Sequence, residues 1–353
     1  MTSDPDTLTA ADDIAKQLSA LSPAYAPTPL LDLRSLATRL GVAQILAKDE
    51  GRRMLGSFKS LGGTYAGLRA LARFAGKDIA QLLDPVNRTH LPALICASDG
   101  NHGLAVASAA RFAGTSARIF LHSRVPAIRA QRIAMQGAEI VWIDGTYDDA
   151  VDAAAKAGRA GAGILIADTT DAPDDPVVAD VMAGYGVVAA EIRRQVAAAG
   201  HQTPTHVFVQ AGVGGLACAM GEGLKNWMAP PAGLIVVEPE KSACVAAALE
   251  QDRIVRIPGD LETAAEMLSC GEASAPAMAV LRRLGARVVT VDEGTLEQAP
   301  DVMREHDGPA STPSGAAGLA GLLRLVADGG TAGFGLDASS RILIVVTEAA
   351  LDG

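Results

Sequence analysis

A lysine stands in the run Gly56-Ser57-Phe58-Lys59-Ser60-Leu61-Gly62-Gly63, and a second glycine-rich stretch, Gln210-Ala211-Gly212-Val213-Gly214-Gly215-Leu216, lies downstream. An amine can condense with an aldehyde to an imine, and backbone N–H groups clustered at the start of a helix can hold a phosphate dianion. These are the two grips that pyridoxal phosphate needs, so a site for that cofactor is the first expectation. Taken singly, Lys59 reads as a solvated surface lysine, as most lysines are. Its small neighbours change that reading, because they put it at the start of a helix where backbone can approach a planar ligand. Desolvation beside a cationic or apolar wall is expected to lower its pKa and free the amine as nucleophile and base.

Three further stretches carry chemistry, each with a plainer alternative. Ser98-Asp99-Gly100-Asn101-His102-Gly103 follows an apolar run. On its own it reads as a helix N-cap, yet it packs ligand-binding groups densely at the place where α/β sheets put their sites. The turn Gly212-Val213-Gly214-Gly215 is a weak motif by glycine count. With no GxGxxG pattern and no lysine after the loop, it suits a single phosphate better than a dinucleotide or nucleoside triphosphate. Asp168, in Ile166-Ala167-Asp168-Thr169-Thr170-Asp171, either caps a turn or faces a cleft.

The elements that must position these residues read as α/β. Short apolar runs at 44–48, 93–97, 117–122, 139–143, 163–167, 206–210, 234–238, 287–291 and 342–347 alternate with Ala-rich stretches such as 103–112, 181–199 and 215–227. Val/Ile-rich runs without strict alternation predict parallel strands covered by helices on both faces. Residues 1–85 and 203–353 are expected to form a large domain and 86–202 a smaller inserted one, with joints near residues 85–92 and 200–204.

The chain has 353 residues, 49% hydrophobic and 20% charged, enough for a large core. Aromatic residues at 3% and a net charge of −10 weigh against nucleic-acid binding. Cys96, Cys218, Cys244 and Cys270 form no CxxC pair, so reduced thiols and no metal site are expected. No basic, apolar leader and no membrane-spanning run is found, which predicts a cytoplasmic protein without a membrane partner.

Taken in order, these motifs resemble the fold-type II pyridoxal-phosphate enzymes, the tryptophan-synthase β-subunit-like family, from about Thr28 to Thr347. Within it the chain looks most like the diaminopropionate ammonia-lyases. That narrower likeness rests on the motifs at Lys59, 98–103 and 210–214, together with Asp168-Thr169, Gly184-Tyr185 and Ser269-Cys270-Gly271-Glu272. The resemblance implies two domains of twisted, mostly parallel sheets with the cofactor in the cleft between them. It also implies an imine at Lys59, Asn101 beside the ring hydroxyl, phosphate held by Gly212, Val213, Gly214, Gly215 and Leu216, and Thr347 at the ring nitrogen. The substrate would be a small amino acid, 2,3-diaminopropionate or a close relative, met by Ser98, Asp99 and Asp168. An acid at position 99 suits a substrate that brings an extra cation, since it would repel a carboxylate. Lys59 and Asp99 would take the Cα proton from opposite faces, ammonia would leave from Cβ, and hydrolysis would give pyruvate and a second ammonia. A homodimer is implied as well. The sequence departs from the lyase pattern at Ala349, where glycine is usual, and at Thr312, where a glutamate is expected. A dehydratase-like enzyme acting on serine or threonine, or a binding protein that keeps the fold without turnover, are the alternatives.

Overall fold

A computed structural model of the chain describes residues 5–87, 90–98 and 100–350. Its strands are β1 (Leu30–Asp32), β2 (Gln44–Asp49), β3 (Leu94–Ala97), β4 (Ala117–His122), β5 (Glu139–Ile143), β6 (Ile164–Leu165), β7 (His206–Gln210), β8 (Gly233–Pro239), β9 (Arg287–Val291) and β10 (Arg341–Val346). They form a six-stranded sheet of order β1-β2-β10-β7-β8-β9 and a four-stranded sheet of order β5-β4-β3-β6. Among the described strands, β1 runs antiparallel to its neighbour and the other strand pairings are parallel. The central strands β2, β7, β8 and β10 are buried almost throughout, as the unbroken Val/Ile runs require. Two apolar clusters cover the faces of the large sheet, and one of them continues into the small sheet.

The differences from sequence are at edges and ends. β1 has only three half-buried residues and no apolar alternation that would mark it. β6 shrinks to two residues at the margin of the small sheet, pairing only Leu94↔Ile164 and Ile95↔Leu165. The helix expected from 181 starts at Pro176, because Asp175 accepts the N–H groups of Val177 and Val178 and proline suits the first helical position. That helix packs on the helix Lys59–Ala75, which in turn packs on the helix Asn101–Ala113.

Small residues set how closely these helices pack. A Cβ on Gly184 would stand 2.6 Å from Gly62 Cα, so the Lys59–Ala75 and Pro176–Ala198 helices cross backbone to backbone. Beside that crossing lies a charged network that sequence patterning does not mark. Arg53 donates to Glu191 through Nη1 (2.9 Å) and Nη2 (2.7 Å) and to Glu50 (2.8 Å). Lys48 Nζ reaches Glu191 at 2.6 Å, and the Thr28 hydroxyl donates to Glu50 at 2.6 Å. All four ionisable side chains are buried and paired, joining β2, the loop before Lys59 and the Pro176–Ala198 helix. No helix among the described residues is long and apolar enough to cross a membrane.

Candidate active site

Four parallel strands end at one cleft. β3 delivers Ser98 and Asn101, β6 delivers Asp168, β7 delivers the turn at residues 212–216, and β10 delivers Thr347. Lys59 opens the helix that follows the loop after β2. Lys59, Ser98, Asn101, Asp168, Gly212, Val213, Gly214, Gly215, Leu216 and Thr347 all line this cleft, so the structure brings these sequence-predicted positions together. Asp99 lies outside the described residues.

The Lys59 ammonium donates a hydrogen bond to Asp168 Oδ2. Its pKa is raised, contrary to the expectation from sequence. Burial pulls it down, but the Asp168 carboxylate and the nearby Tyr185 outweigh burial. The same pair holds Asp168 well below the usual carboxylate range: burial would raise it, and Lys59 with His102 overrides that. The pair keeps 24% and 12% of its side-chain surface, so the cleft still opens onto it. Phe58 and Tyr185 meet edge to face at 4.8 Å and wall the lysine.

The turn after β7 can take an anion. Gly214 has φ 98° and caps the Gly215–Leu224 helix, a backbone state that favours glycine and leaves the first helical N–H groups without intrahelical acceptors. Across the sheet, Gln210 Nε2 donates to Thr347 Oγ1 at 3.0 Å and to the carbonyls of Ser314 and Gly315. Thr347 Oγ1 is thereby an acceptor for Gln210, and its own proton is left to donate elsewhere. Ser98 Oγ accepts from Gly100 N (3.0 Å) and Gly103 N (2.9 Å), so its oxygen holds its own loop together.

Several residues gained no role from sequence. Glu348 accepts from the Asn101 amide and from the Thr312 hydroxyl, and Tyr147 and Met267 line the cleft mouth. Glu348 follows an apolar strand as an ordinary charged residue would; only the spatial return of residues 312 and 101 marks it. The strand's continuation also grips the lysine loop, with Phe58 N donating to Thr347 O (3.2 Å) and Ala349 N to Gly56 O (3.0 Å).

An aldehyde-bearing phosphorylated ring fits these groups: an amine, a helix-start cradle, an amide and a neutral hydroxyl face one cleft. A family profile described as "Pyridoxal-phosphate dependent enzyme" matches residues 21–348. Diaminopropionate ammonia-lyase of Salmonella typhimurium is 32% identical over 346 residues, covering 92% of this chain and 86% of that protein. The holo structure of diaminopropionate ammonia-lyase from Escherichia coli superposes with a TM-score of 0.88 at 29% identity, covering 98% of this chain and 90% of that one. The same enzyme in complex with an aminoacrylate-PLP azomethine reaction intermediate gives 0.87.

Proposed function

The chain belongs to the pyridoxal-phosphate-dependent enzymes, and from that premise we propose that it is an ammonia-lyase that converts 2,3-diaminopropionate to pyruvate and ammonia by α,β-elimination. The observation that carries the reading is the Lys59–Asp168 pair, an amine and an anion held together in the cleft lined by the glycine turn. Likeness to diaminopropionate ammonia-lyase along most of the chain supports it.

Each residue then has a task. Lys59 anchors the cofactor, the N–H groups at 212–216 hold its phosphate, Asn101 meets the ring hydroxyl, and Thr347, held by Gln210, donates toward the ring nitrogen. When bound, the cofactor withdraws electrons from Cα, so that a proton there becomes acidic and a Cβ substituent can depart. Lys59 takes the proton on one face, and Asp99 is proposed to take it on the other. Asp168 is the anion that a substrate's second ammonium would meet, since a buried carboxylate without a cation is costly. Tyr185 and Phe58 exclude water beside the lysine. An assembly of two copies belongs to the same proposal, and light scattering of the purified protein measures it.

Release of pyruvate and ammonia from 2,3-diaminopropionate, compared with serine and threonine under the same conditions, tests the substrate. Diaminopropionate is expected to react fastest. A clear preference for serine or threonine would replace this reading with a dehydratase, and a protein that binds cofactor but turns over none of them would be a binding protein.

A further inference from the structure

We propose that Glu348 is a positioning residue for the cofactor site: its carboxylate fixes the orientation of the Asn101 amide and stands as a negative charge behind the face that Asn101 turns to the cofactor's ring hydroxyl. The inference rests on the reading, given above, that Asn101 meets that hydroxyl.

The geometry is closed on every side. Asn101 Nδ2 donates to Glu348 Oε2, and Thr312 Oγ1 donates to Oε1. A carboxylate only accepts, so it selects the nitrogen of the Asn101 amide and leaves the second N–H and Oδ1 for the cleft. The Glu348 backbone cannot swing away. Ser311 Oγ donates to its carbonyl at 2.6 Å, and its chain neighbour Ala349 donates to Gly56 O at 3.0 Å. The side chain is buried, and it lies between the cleft and a second cavity of about 320 Å³ lined by Arg129, Arg132 and Gly56.

The charged groups that face Glu348 are those two arginines, on the Ala127–Ala134 helix. Both are engaged elsewhere: Arg129 with Glu266 at 2.6 Å and Arg132 with Leu55 O at 2.7 Å. Glu348 is therefore hydrogen-bonded by neutral donors, and burial pushes its pKa up while Thr312, Asn101 and the arginines oppose that. Thr312 occupies the position where a glutamate was expected from sequence, and its hydroxyl reaches the carboxylate that position 348 supplies.

The test uses purified protein loaded with pyridoxal phosphate and follows its visible absorbance band against pH. Removing a nearby anion disfavours the protonated form of the bound chromophore. Glu348→Gln is therefore expected to lower the midpoint of the band's titration by about one pH unit or more, a tenfold loss of proton affinity. Glu348→Asp keeps the charge and is expected to stay nearer the wild-type midpoint. The double variant Thr312→Glu, Glu348→Gln returns the carboxylate from the other side and is expected to move the midpoint back. A Glu348→Gln midpoint equal to wild type, while Asn101→Ala shifts it, would overturn the role of Glu348 and leave the cofactor site standing. No shift in either variant would overturn both Glu348 and the reading of Asn101. A wild type that shows no visible band with the cofactor would remove the site reading itself, and this proposal with it.

Discussion

At the scale of single residues, Lys59 and Asp168 define each other. They lie 109 positions apart in the chain, so no local pattern reveals that the lysine's charge is held rather than suppressed. From sequence, burial was the visible influence and a lowered pKa the expectation; in the folded protein the carboxylate brought in at the end of β6 reverses it. Asp168→Asn is thus expected to let burial prevail and lower the Lys59 pKa. Because Asp168 is proposed to pair with the substrate's second ammonium, and a desolvated charge pair loses about 2–5 kcal/mol when one partner is removed, elimination from diaminopropionate should fall roughly 30-fold or more. The cofactor should remain bound, since its phosphate is proposed to be held by the turn at 212–216. Steady-state pyruvate release alongside a cofactor titration checks both halves, and an undiminished rate would make Asp168 a structural cap. Lys59 and the glycine turn were legible because their residue types are rare in that order. Gln210 and Tyr185 belong to motifs legible in the sequence, but the pairings are not legible there: Gln210 bonds Thr347, and Glu348 bonds Asn101 and Thr312, all distant along the chain.

At the scale of elements, apolar runs announced the buried strands, because a strand covered on both faces has little choice of residue. β1 escaped notice, and the strand expected at 163–167 proved only two residues long, because edge pairing asks little of composition. What sequence could not supply is how the helices cross. Lys59 sits where it does because its helix passes the Pro176–Ala198 helix at Gly62 and Gly184. Gly184→Val would push a branched side chain onto the Gly62 backbone, which cannot give way as a flexible side chain can. A loss of about 1–3 kcal/mol of stability is expected, with weakened cofactor retention as the lysine's helix is displaced. Urea denaturation and cofactor titration of the same variant separate the two effects. Reduced stability with unchanged cofactor affinity would show that the crossing does not place Lys59.

At the scale of the whole molecule, the buried network of Lys48, Glu50, Arg53 and Glu191 ties the large sheet to the helix that backs the site. Glu191→Gln would leave two buried cations short of a counter-charge, at a cost of about 3–5 kcal/mol. Denaturant midpoints should fall with little change in slope, as for a native state of the same compactness; a midpoint within error of wild type would mean that the network is replaceable by water. The order of the large sheet also bears on how the protein is made. β10, the last strand in the chain, lies in the middle, between β2 and β7. Until it arrives, the strand that leads to the lysine and the strand that leads to the phosphate turn have no common neighbour, and synthesis delivers the chain N-terminus first. A ribosome that has made the first nine described strands has made both halves of the proposed grip on the cofactor without joining them, so the nascent chain is expected to gain its prosthetic group only after β10 threads into the gap.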